Sequence, residues 1–310
     1  MRLFLMGGTG LVGSRLVRRL LDRKDEVVLL TRRPEVARQK WGEALKVVEG
    51  DPLQAGGWAG AVEDCDAVVN LVGEGVFNRR WRAGFKQLLY DSRIKSTANL
   101  VEALGKSPRT PVGQPKALVN ASAIGYYGPH GDEELTEDSP PGDDFLARLC
   151  VDWEKAAHAA EAHGVRTVIV RIGVVLDRAG GALKQMLTPF KFFVGGPVGS
   201  GRQYVSWIHH DDLVGLILRA LDIAEASGPM NGTAPQPVTN KQFAKALGRA
   251  LGRPSFLPTP KFALRVMLGP VAMLVTTGQR VLPKRALGLG YAFKFPEIEG
   301  AMRDAVTSPA

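Results

Sequence analysis

The chain has 310 residues, of which 45% are hydrophobic and 23% charged, a composition typical of an ordinary folded protein. A chain of this length can form one large domain or two unequal domains. Its net charge of +9 would suit a nucleic acid, but the Lys and Arg residues are scattered and form no nucleic-acid-binding motif. We therefore expect no nucleic-acid partner, and a basic surface that favours a phosphorylated ligand.

Cysteine content and apolar stretches bear on the compartment. Cys65 and Cys150 are too few for a disulfide framework and are typical of a reducing environment. An apolar strand starts at residue 2, so the sequence predicts no signal peptide. Residues 262–282 are apolar but contain Arg265 and Arg280, and they predict packed helices rather than a membrane span. We expect a cytoplasmic protein with no membrane partner.

The first predicted elements are a strand, a glycine-rich turn and a helix. An apolar strand at residues 2–6 precedes three glycines spaced as G-x-x-G-x-x-G, and an amphipathic helix covers residues 12–23. Such glycines allow a tight turn and let backbone N–H groups approach a pyrophosphate at the helix N-terminus. A structural glycine-rich turn is the alternative, but the strand–turn–helix context favours a dinucleotide site. The residues predicted to line it are Gly7, Gly10, Leu11, Val12 and Gly13.

The end of the second predicted strand distinguishes between two nicotinamide cofactors. The strand at residues 26–31 ends in Thr31 and is followed by Arg32 and Arg33, where NAD-binding folds carry an acidic residue for the ribose 2′-hydroxyl. A pair of guanidinium groups suits a 2′-phosphate and can stack on adenine. Two solvated surface arginines are the alternative. This strand end predicts NADP(H) rather than NAD(H).

Two later strand ends add candidate cofactor contacts. Asp51 follows the strand predicted at residues 45–49, where it would either accept a hydrogen bond from the adenine amino group or hold a turn. The strand predicted at residues 67–71 leads into a loop that we expect to line the cofactor ribose, with a plain turn as the alternative. The residues of that loop are Asn70, Leu71, Val72 and Gly73.

Strands and helices alternate through the first half of the chain. Strands are predicted at residues 2–6, 26–31, 45–49, 67–71, 117–121 and 167–171, and helices at residues 12–23, 81–104 and 145–163. This alternation predicts an α/β fold with a Rossmann-type, doubly wound parallel sheet. Ligands bind such sheets beyond the carboxyl ends of the strands, so residues that directly follow strands are informative.

Three hydroxyl groups follow the fifth predicted strand, where a nicotinamide ring is expected. Ser122, Tyr126 and Tyr127 are therefore predicted to take part in proton transfer. The alternative is that the two tyrosines only pack the loop. Arg171 ends the sixth predicted strand, and it is expected either near the nicotinamide or in a structural ion pair.

The regular alternation stops after residue 175, which predicts a smaller C-terminal lobe. A glycine-rich loop at residues 195–201 precedes candidates for holding an anionic or polyol substrate, which could equally anchor the loop. These candidates are Arg202, Gln203, Ser206 and Trp207. The predicted division is an NADP(H)-binding domain at residues 1–175, to which residues 207–222 return, and a substrate lobe at residues 176–206 and 223–310.

A short run of histidines and aspartates superficially suggests a metal site. The run is His209, His210, Asp211 and Asp212. Adjacent residues point apart on a helix or a strand, and the sequence shows no cluster that supplies a third ligand. We therefore predict no metal, and we expect Asp212 to cap a helix that starts at Leu213.

Together these motifs resemble the atypical, extended short-chain dehydrogenase/reductases. Within them the chain is most similar to an epimerase-like subgroup of YfcH-like and SDR family 39U-like proteins. The matching segments are residues 7–13, 70–74, 91–97, 122–128, 153–154, 171–176, 199–203, 206–209, 211–213, 262–265 and 279–285. The resemblance implies a Rossmann domain, a nicotinamide cofactor and a C-terminal substrate lobe, and it leaves the reaction and the substrate open.

The chain departs from the superfamily pattern at the proton-transfer residues. The superfamily uses a Ser, a Tyr and a Lys four residues later, whose ammonium lowers the pKa of the phenol. The resemblance puts Cys150 at the tyrosine position and Glu154 at the lysine position, while Lys155 lies about 100° round the helix. Either Ser122 acts with Tyr126 or Tyr127, or Cys150 and Glu154 form an unusual acid–base pair, or no proton relay exists.

The sequence thus leaves two functional classes open. The first is an NADP(H)-dependent oxidoreductase or epimerase that acts on a small polar, sugar-like or carbonyl substrate. The second is a non-catalytic NADP(H)-binding sensor or scaffold, which the missing Tyr-x-x-x-Lys pair favours. The retained hydroxyls after the fifth strand favour the enzyme. The expected partner is a small-molecule substrate, and the oligomeric state is open, with a homodimer as one alternative.

Overall fold

The computed structural model describes residues 1–308 and alternates strands with helices. The strands are β1 Arg2–Met6, β2 Glu26–Thr31, β3 Lys46–Glu49, β4 Ala67–Asn70, β5 Ala117–Ala123, β6 Glu134–Leu135, β7 Arg166–Ile172, β8 Val174–Leu176, β9 Tyr204–Val205, β10 Trp207–His209, β11 Gly228–Gly232, β12 Val238–Thr239 and β13 Arg280–Val281. The α-helices are α1 Leu11–Asp22, α2 Pro34–Trp41, α3 Ala83–Lys106, α4 Phe145–His158, α5 Gly181–Lys191, α6 His210–Asp222, α7 Asn240–Leu251, α8 Lys261–Leu268, α9 Met273–Thr276, α10 Lys284–Gly288 and α11 Ile298–Thr307. Short 3-10 helices cover Gly57–Val62, Ile124–Tyr127, Ala159–His163 and Gly269–Ala272.

Seven of these strands form one sheet in the order β11-β7-β5-β4-β1-β2-β3. Every pairing within it is parallel. The strand order reverses between β1 and β4, where Met6 lies opposite Asn70. A reversal of this kind leaves a crevice at the carboxyl ends of the two strands, which is where ligands bind in doubly wound sheets.

The sheet is buried on both faces because its strands are almost continuously apolar, as parallel strands usually are. Leu3 and Leu5 of β1 point to one face, where they join a core that includes residues of α1 and α6. Phe4 and Met6 point to the other face and pack with residues of α3 and of the 3-10 helices at 57–62 and 159–163. Alternate side chains of β1 thus belong to different cores, which fixes its register.

This sheet confirms the predicted Rossmann-type α/β fold, and all six predicted strands are present. The helix predicted at residues 145–163 ends earlier as an α-helix. It tightens at Ala159 into a 3-10 turn that ends at Gly164, where φ is +80°. Glycine adopts that backbone conformation without a steric penalty, so it terminates the helix.

The seventh strand, β11, is not predicted from the sequence, and it corrects part of the expected domain division. Residues 223–310 are expected in the substrate lobe, yet residues 228–232 pair in parallel with β7 at the edge of the main sheet. The strand sequence contains two glycines and a proline and shows no alternation, and such residues are tolerated at sheet edges. The rest of the division stays a prediction, and residues 309–310 lie outside the described residues.

Beyond the main sheet, the C-terminal half forms a third core and several two-stranded pairings. The core packs α5, α7 and α11 around Trp207, with Phe243 and Met302 among its buried side chains. The parallel pair β10–β8 and the antiparallel pair β12–β9 connect this region to the end of the main sheet. Within residues 1–308, none of the helices is both long and apolar enough to cross a membrane.

Candidate functional site

The glycine turn between β1 and α1 forms a narrow cradle at the carboxyl end of β1. Gly7 has φ +80°, and a Cβ there would lie 2.7 Å from the carbonyl of Leu71. A Cβ on Gly13 would overlap the carbonyl oxygen of Gly7, so the helix can approach the turn closely only with glycine. Gly10 is exposed and is the N-cap residue of α1. Because glycine has no side chain, the first N–H groups of the helix are left without a side-chain cap.

These N–H groups make the start of α1 a favourable place for an anion. Leu11, Val12 and Gly13 begin the helix, and its first turn carries no acidic side chain. The N-terminal end of a helix bears a partial positive charge, and its free N–H groups point away from the helix along the axis. The loop after β8 lies above this end, since a Cβ on Gly180 would be 3.1 Å from the Leu11 side chain.

The arginine pair lies at the end of β2, next to the cradle. Thr31 is buried, and its hydroxyl accepts a hydrogen bond from the backbone N–H of Arg33 at 3.1 Å. This bond fixes the turn that leaves the strand. Both Arg32 and Arg33 are exposed, so their guanidinium groups are free to contact a ligand that extends from the cradle towards β2.

The candidate residues after β3 and β4 hold the loops on which they lie. Asp51 accepts the backbone N–H of Leu53 at 3.0 Å, as a turn aspartate does, and its second oxygen stays available. Asn70 is fully buried, and its amide donates to Asn120 at 2.7 Å and to Thr97 at 3.0 Å. Its oxygen accepts the N–H of Val72, so Asn70 shapes the loop whose exposed end is Gly73.

Ser122, at the end of β5, takes part in a buried ion-pair network. Its hydroxyl donates to Glu154 of α4 at 2.6 Å. Arg171 of β7 pairs with the same carboxylate through Nε and Nη2, each at 2.9 Å. Burial lowers the pKa of Arg171, but its hydrogen bond and charge interaction with Glu154 raise the pKa overall, so the guanidinium stays charged. The predicted alternative of a structural ion pair for Arg171 is confirmed.

The two tyrosines after β5 have different environments. Tyr127 is fully buried, its hydroxyl donates to Asn231 at 2.7 Å and accepts from Arg171 at 3.0 Å, and burial raises its pKa to about 12. Tyr126 is partly exposed, and the Arg171 guanidinium lies over its ring, with 3.5 Å between the guanidinium carbon and the ring centroid. Of the three predicted hydroxyls, the Tyr126 phenol is therefore the one nearest to solvent.

Cys150 lies on α4, one turn before Glu154, and its side chain is buried. Burial, together with the charge of Glu154, raises the pKa of this thiol to about 12. A thiol with such a pKa remains protonated at neutral pH and is a poor nucleophile or base. Glu154 is fully engaged by Arg171 and Ser122. We therefore infer that Cys150 packs in the interior and that Glu154 anchors α4 through its ion pair, rather than that the two form an acid–base pair.

Two members of the network were missed by sequence reasoning. Glu137 is buried, and its carboxylate accepts the backbone N–H groups of Asn231 and Arg285. Asn231 lies on β11 and reaches Tyr127. The sequence gives little indication that either residue belongs to the site, because Glu137 lies in an acidic loop and Asn231 lies in a strand with no alternating pattern.

The candidates in the second glycine-rich loop do not face one common space. Trp207 is fully buried and donates its indole N–H to Gln236, and Ser206 is buried and donates to Gln279. Gln203 donates to Val198 and Val275, while its Oε1 is buried without a hydrogen-bond partner among residues 1–308. Arg202 is exposed. These placements fit loop anchors, with Arg202 as the member open to a ligand.

The expected cap for α6 is wrong. The helix begins at His210, and His209 is its N-cap, with Nδ1 accepting the N–H of Asp211. Asp212 is buried within the helix and accepts the backbone N–H groups of Lys294 and Phe295 at 2.7 and 2.9 Å. A tertiary contact with the chain segment before α11 therefore takes the carboxylate that was expected to cap the helix.

At the start of α6, the side chains of His209, His210 and Asp211 lie closer together than we expect for adjacent residues. Ligand atoms of His209, His210 and Asp211 lie within 4.8 Å of one another. His210 Nδ1 contacts the Leu176 carbonyl, and Asp211 pairs with Lys294. Burial lowers the pKa of His209 to about 4, and its buried Nε2 makes no hydrogen bond among residues 1–308, although it lies 3.1 Å from the Asp304 carboxylate. The absence of a metal at this cluster stays a prediction.

Comparison with known proteins places this site in a defined family. A profile described as the NAD dependent epimerase/dehydratase family matches residues 3–231, and one described as domain of unknown function (DUF1731) matches residues 259–305. The chain is 41% identical to the human epimerase family protein SDR39U1, with 99% of this chain and 100% of that protein covered. It is 38% identical to the epimerase family protein YfhF of Bacillus subtilis, covering 99% of this chain and 98% of that one.

The three-dimensional structure is also similar to a solved relative. The crystal structure of human SDR39U1 (isoform 2) with NADPH superposes with a TM-score of 0.85 at 37% identity. The match covers 99% of this chain and 100% of that chain. The sheet, the glycine cradle and the full-length sequence similarity lead to one conclusion. The chain belongs to the NAD dependent epimerase/dehydratase family.

Proposed function

We propose that this protein binds NADP(H) and uses it in an oxidoreductase or epimerase reaction on a small polar, sugar-like or carbonyl substrate. The observation that carries the proposal is the glycine cradle at the start of α1 beside two exposed arginines at the end of β2. The presence of NADPH in the similar human SDR39U1 structure supports the same cofactor here.

The residues of the cradle fit a dinucleotide. Side chains at Gly7 and Gly13 would overlap the protein's own backbone, whereas a Cβ on Gly10 would meet only the Gly7 carbonyl, at 3.2 Å, and would otherwise face open space. That open side, together with the free N–H groups of Leu11 and Val12, would hold the pyrophosphate. NADP(H), when bound, would supply or accept a hydride.

The arginine pair gives a prediction about cofactor choice. Replacing both Arg32 and Arg33 with alanine removes the positive charges proposed for the 2′-phosphate and leaves the pyrophosphate site intact. We expect NADPH affinity to fall roughly tenfold or more, and NADH affinity to change little, because only NADPH carries that phosphate. Isothermal titration calorimetry with both nucleotides measures this. An equal loss for both nucleotides would contradict the 2′-phosphate role.

Within this proposal, Tyr126 is the residue that exchanges a proton with the substrate. Ser122 is held by Glu154, and Tyr127 is buried with two partners. Tyr126 keeps a partly exposed phenol at the carboxyl end of β5, and the Arg171 guanidinium against its ring holds it in place. Arg171 and Glu154 are then positioning residues. Their ion pair holds Tyr126 in place and so forms the rigid element of the site, where the superfamily has its Tyr-x-x-x-Lys pair.

The two tyrosines should respond differently to removal of their hydroxyls. Tyr126→Phe should lower turnover about 100-fold or more, the usual size of a general acid–base contribution, with unchanged stability and NADPH affinity. Tyr127→Phe should instead cost about 1–3 kcal/mol of unfolding free energy, because it leaves Asn231 without its donor. Turnover is followed by nicotinamide absorbance and stability by urea unfolding. Full turnover of the Tyr126 variant would exclude it as the proton donor.

A non-catalytic NADP(H)-binding protein is the second candidate, and one observation favours it. The positions of the usual acid–base pair are occupied by a buried, protonated thiol and a carboxylate locked in an ion pair. A panel of nucleotide sugars, ketones and aldehydes, tested with NADPH and NADP⁺, separates the two candidates. Turnover of any member supports the enzyme. Tight NADPH binding with no turnover or isomerisation across the panel supports the sensor or scaffold.

The substrate lobe remains part of the proposal. We place substrate between the carboxyl ends of the sheet strands and the segment that follows β8, with Arg202 as its exposed cationic contact.

A further inference from the structure

One half-buried cation near the candidate site has no role in the ion-pair network. Arg93 lies on α3, and its guanidinium lies directly beneath Gly73 in the loop after β4. A Cβ on Gly73 would be 3.1 Å from its Cζ and Nη2. The same guanidinium lies 5.1 Å from the centre of the Trp153 ring on α4. Arg93 is thus positioned between the proposed ribose loop and the helix that carries Cys150 and Glu154.

The partners of Arg93 do not neutralise its charge. Nη1 donates to the Leu89 carbonyl at 3.1 Å, and Nη2 donates to the Glu74 carbonyl at 3.0 Å. Nη1 also donates to the Ser92 hydroxyl at 3.5 Å, so all three acceptors are neutral. In the part of the chain that the structure describes, none of the ion pairs includes Arg93. Burial lowers its pKa, as expected for a desolvated cation.

A desolvated guanidinium without a carboxylate is costly, and proteins usually pair such a group or use it to bind an anion. Nε and Nη2 form one edge of the guanidinium, on which the Nε–H makes no hydrogen bond within the described chain and Nη2 makes one with its two N–H groups. Such an edge matches the two oxygens of a carboxylate or a phosphate. The neighbouring Arg171 cannot play this part, because Glu154 already takes its charge.

We propose that Arg93 binds an oxyanion of the substrate, so that the substrate is a carboxylate- or phosphate-bearing compound. This inference rests on the proposed NADP(H)-dependent function and narrows its substrate class. The position of Arg93, between the Gly73 loop and α4, would place the anionic group next to the nicotinamide end of the site. The reacting group would then lie within reach of Tyr126.

The test uses the full-length protein saturated with NADPH, with malonate and inorganic phosphate as the oxyanion probes. We expect the wild-type complex to bind at least one probe, Arg93→Met to bind it at least tenfold more weakly, and Arg93→Lys to fall between them. The matched control is Lys95→Met, which removes a cation from the exposed face of the same helix. It should bind the probe as the wild type does.

NADPH affinity, measured on every variant first, separates this inference from the proposed function. If the wild type does not bind NADPH, the proposed function fails. If the wild type binds NADPH but neither probe, the anion site is overturned. The same holds if the Arg93→Met complex binds a probe as tightly as the wild-type complex does. Loss of NADPH affinity in both Arg93 variants at unchanged stability would also overturn it, because Arg93 would then serve the cofactor.

Discussion

Arg171→Met should lower the unfolding free energy by about 3–5 kcal/mol, the largest stability change that we expect from a single site. The substitution leaves the Glu154 carboxylate buried beside Ser122 without its cation. It also removes a hydrogen bond to Tyr127 and the contact with the Tyr126 ring. Urea-induced unfolding followed by circular dichroism measures the change.

Two further variants show whether the ion pair is the cause. Arg249→Met breaks an exposed pair with Glu299 and should change stability by no more than about 1 kcal/mol. The double variant Glu154→Leu/Arg171→Met removes both charges and should recover part of the loss. A loss below about 1 kcal/mol in Arg171→Met would show that the network is not a rigid element of the site.

Gly10→Val should abolish NADPH binding at little cost in stability, and this is the largest effect on ligand affinity that we expect. Gly10 has φ −75° and ψ 180°, an extended conformation that valine adopts readily. The added side chain points into the open side of the cradle, where it would block the N–H groups proposed for the pyrophosphate. Losing two charge-assisted hydrogen bonds corresponds to at least about 100-fold in affinity.

The control for this prediction is a glycine with free space far from the cradle. Gly300 lies on α11, and a Cβ there meets no atom within 4 Å among the described residues. Gly300→Val should bind NADPH as the wild type does. If Gly10→Val retains wild-type affinity while remaining folded, the nucleotide does not occupy the cradle.

The fold and the cradle could be predicted from local patterns. The first apolar strand, the spacing of Gly7, Gly10 and Gly13, and the helix that follows are all encoded within the first 23 residues. The sheet order follows the general rules for doubly wound folds. The edge strand β11 could not be predicted, because Gly228–Gly232 is stabilised by pairing with β7 rather than by its own propensity.

The candidate site could be predicted only in part, because its ion pairs join residues far apart in the sequence. Ser122, Glu154 and Arg171 come from three different elements, and their contact depends on the register of β5 against β7, which places Ser122 opposite Arg171. The same applies to Asp212, which was expected as a cap but contacts the backbone at Lys294. Sequence reasoning identifies residues at strand ends, but it does not give their side-chain partners.

A crystal structure of this protein with NADP⁺ bound would test the proposed cofactor site and proton donor together. We expect the dinucleotide in the glycine cradle, its 2′-phosphate against Arg32 or Arg33, and the Tyr126 hydroxyl facing the substrate space within about 3–4 Å of the nicotinamide. An open pocket lined by that hydroxyl would support an enzyme. A nicotinamide covered only by apolar side chains, with the Tyr126 hydroxyl turned away, would contradict the proposed catalytic role of Tyr126.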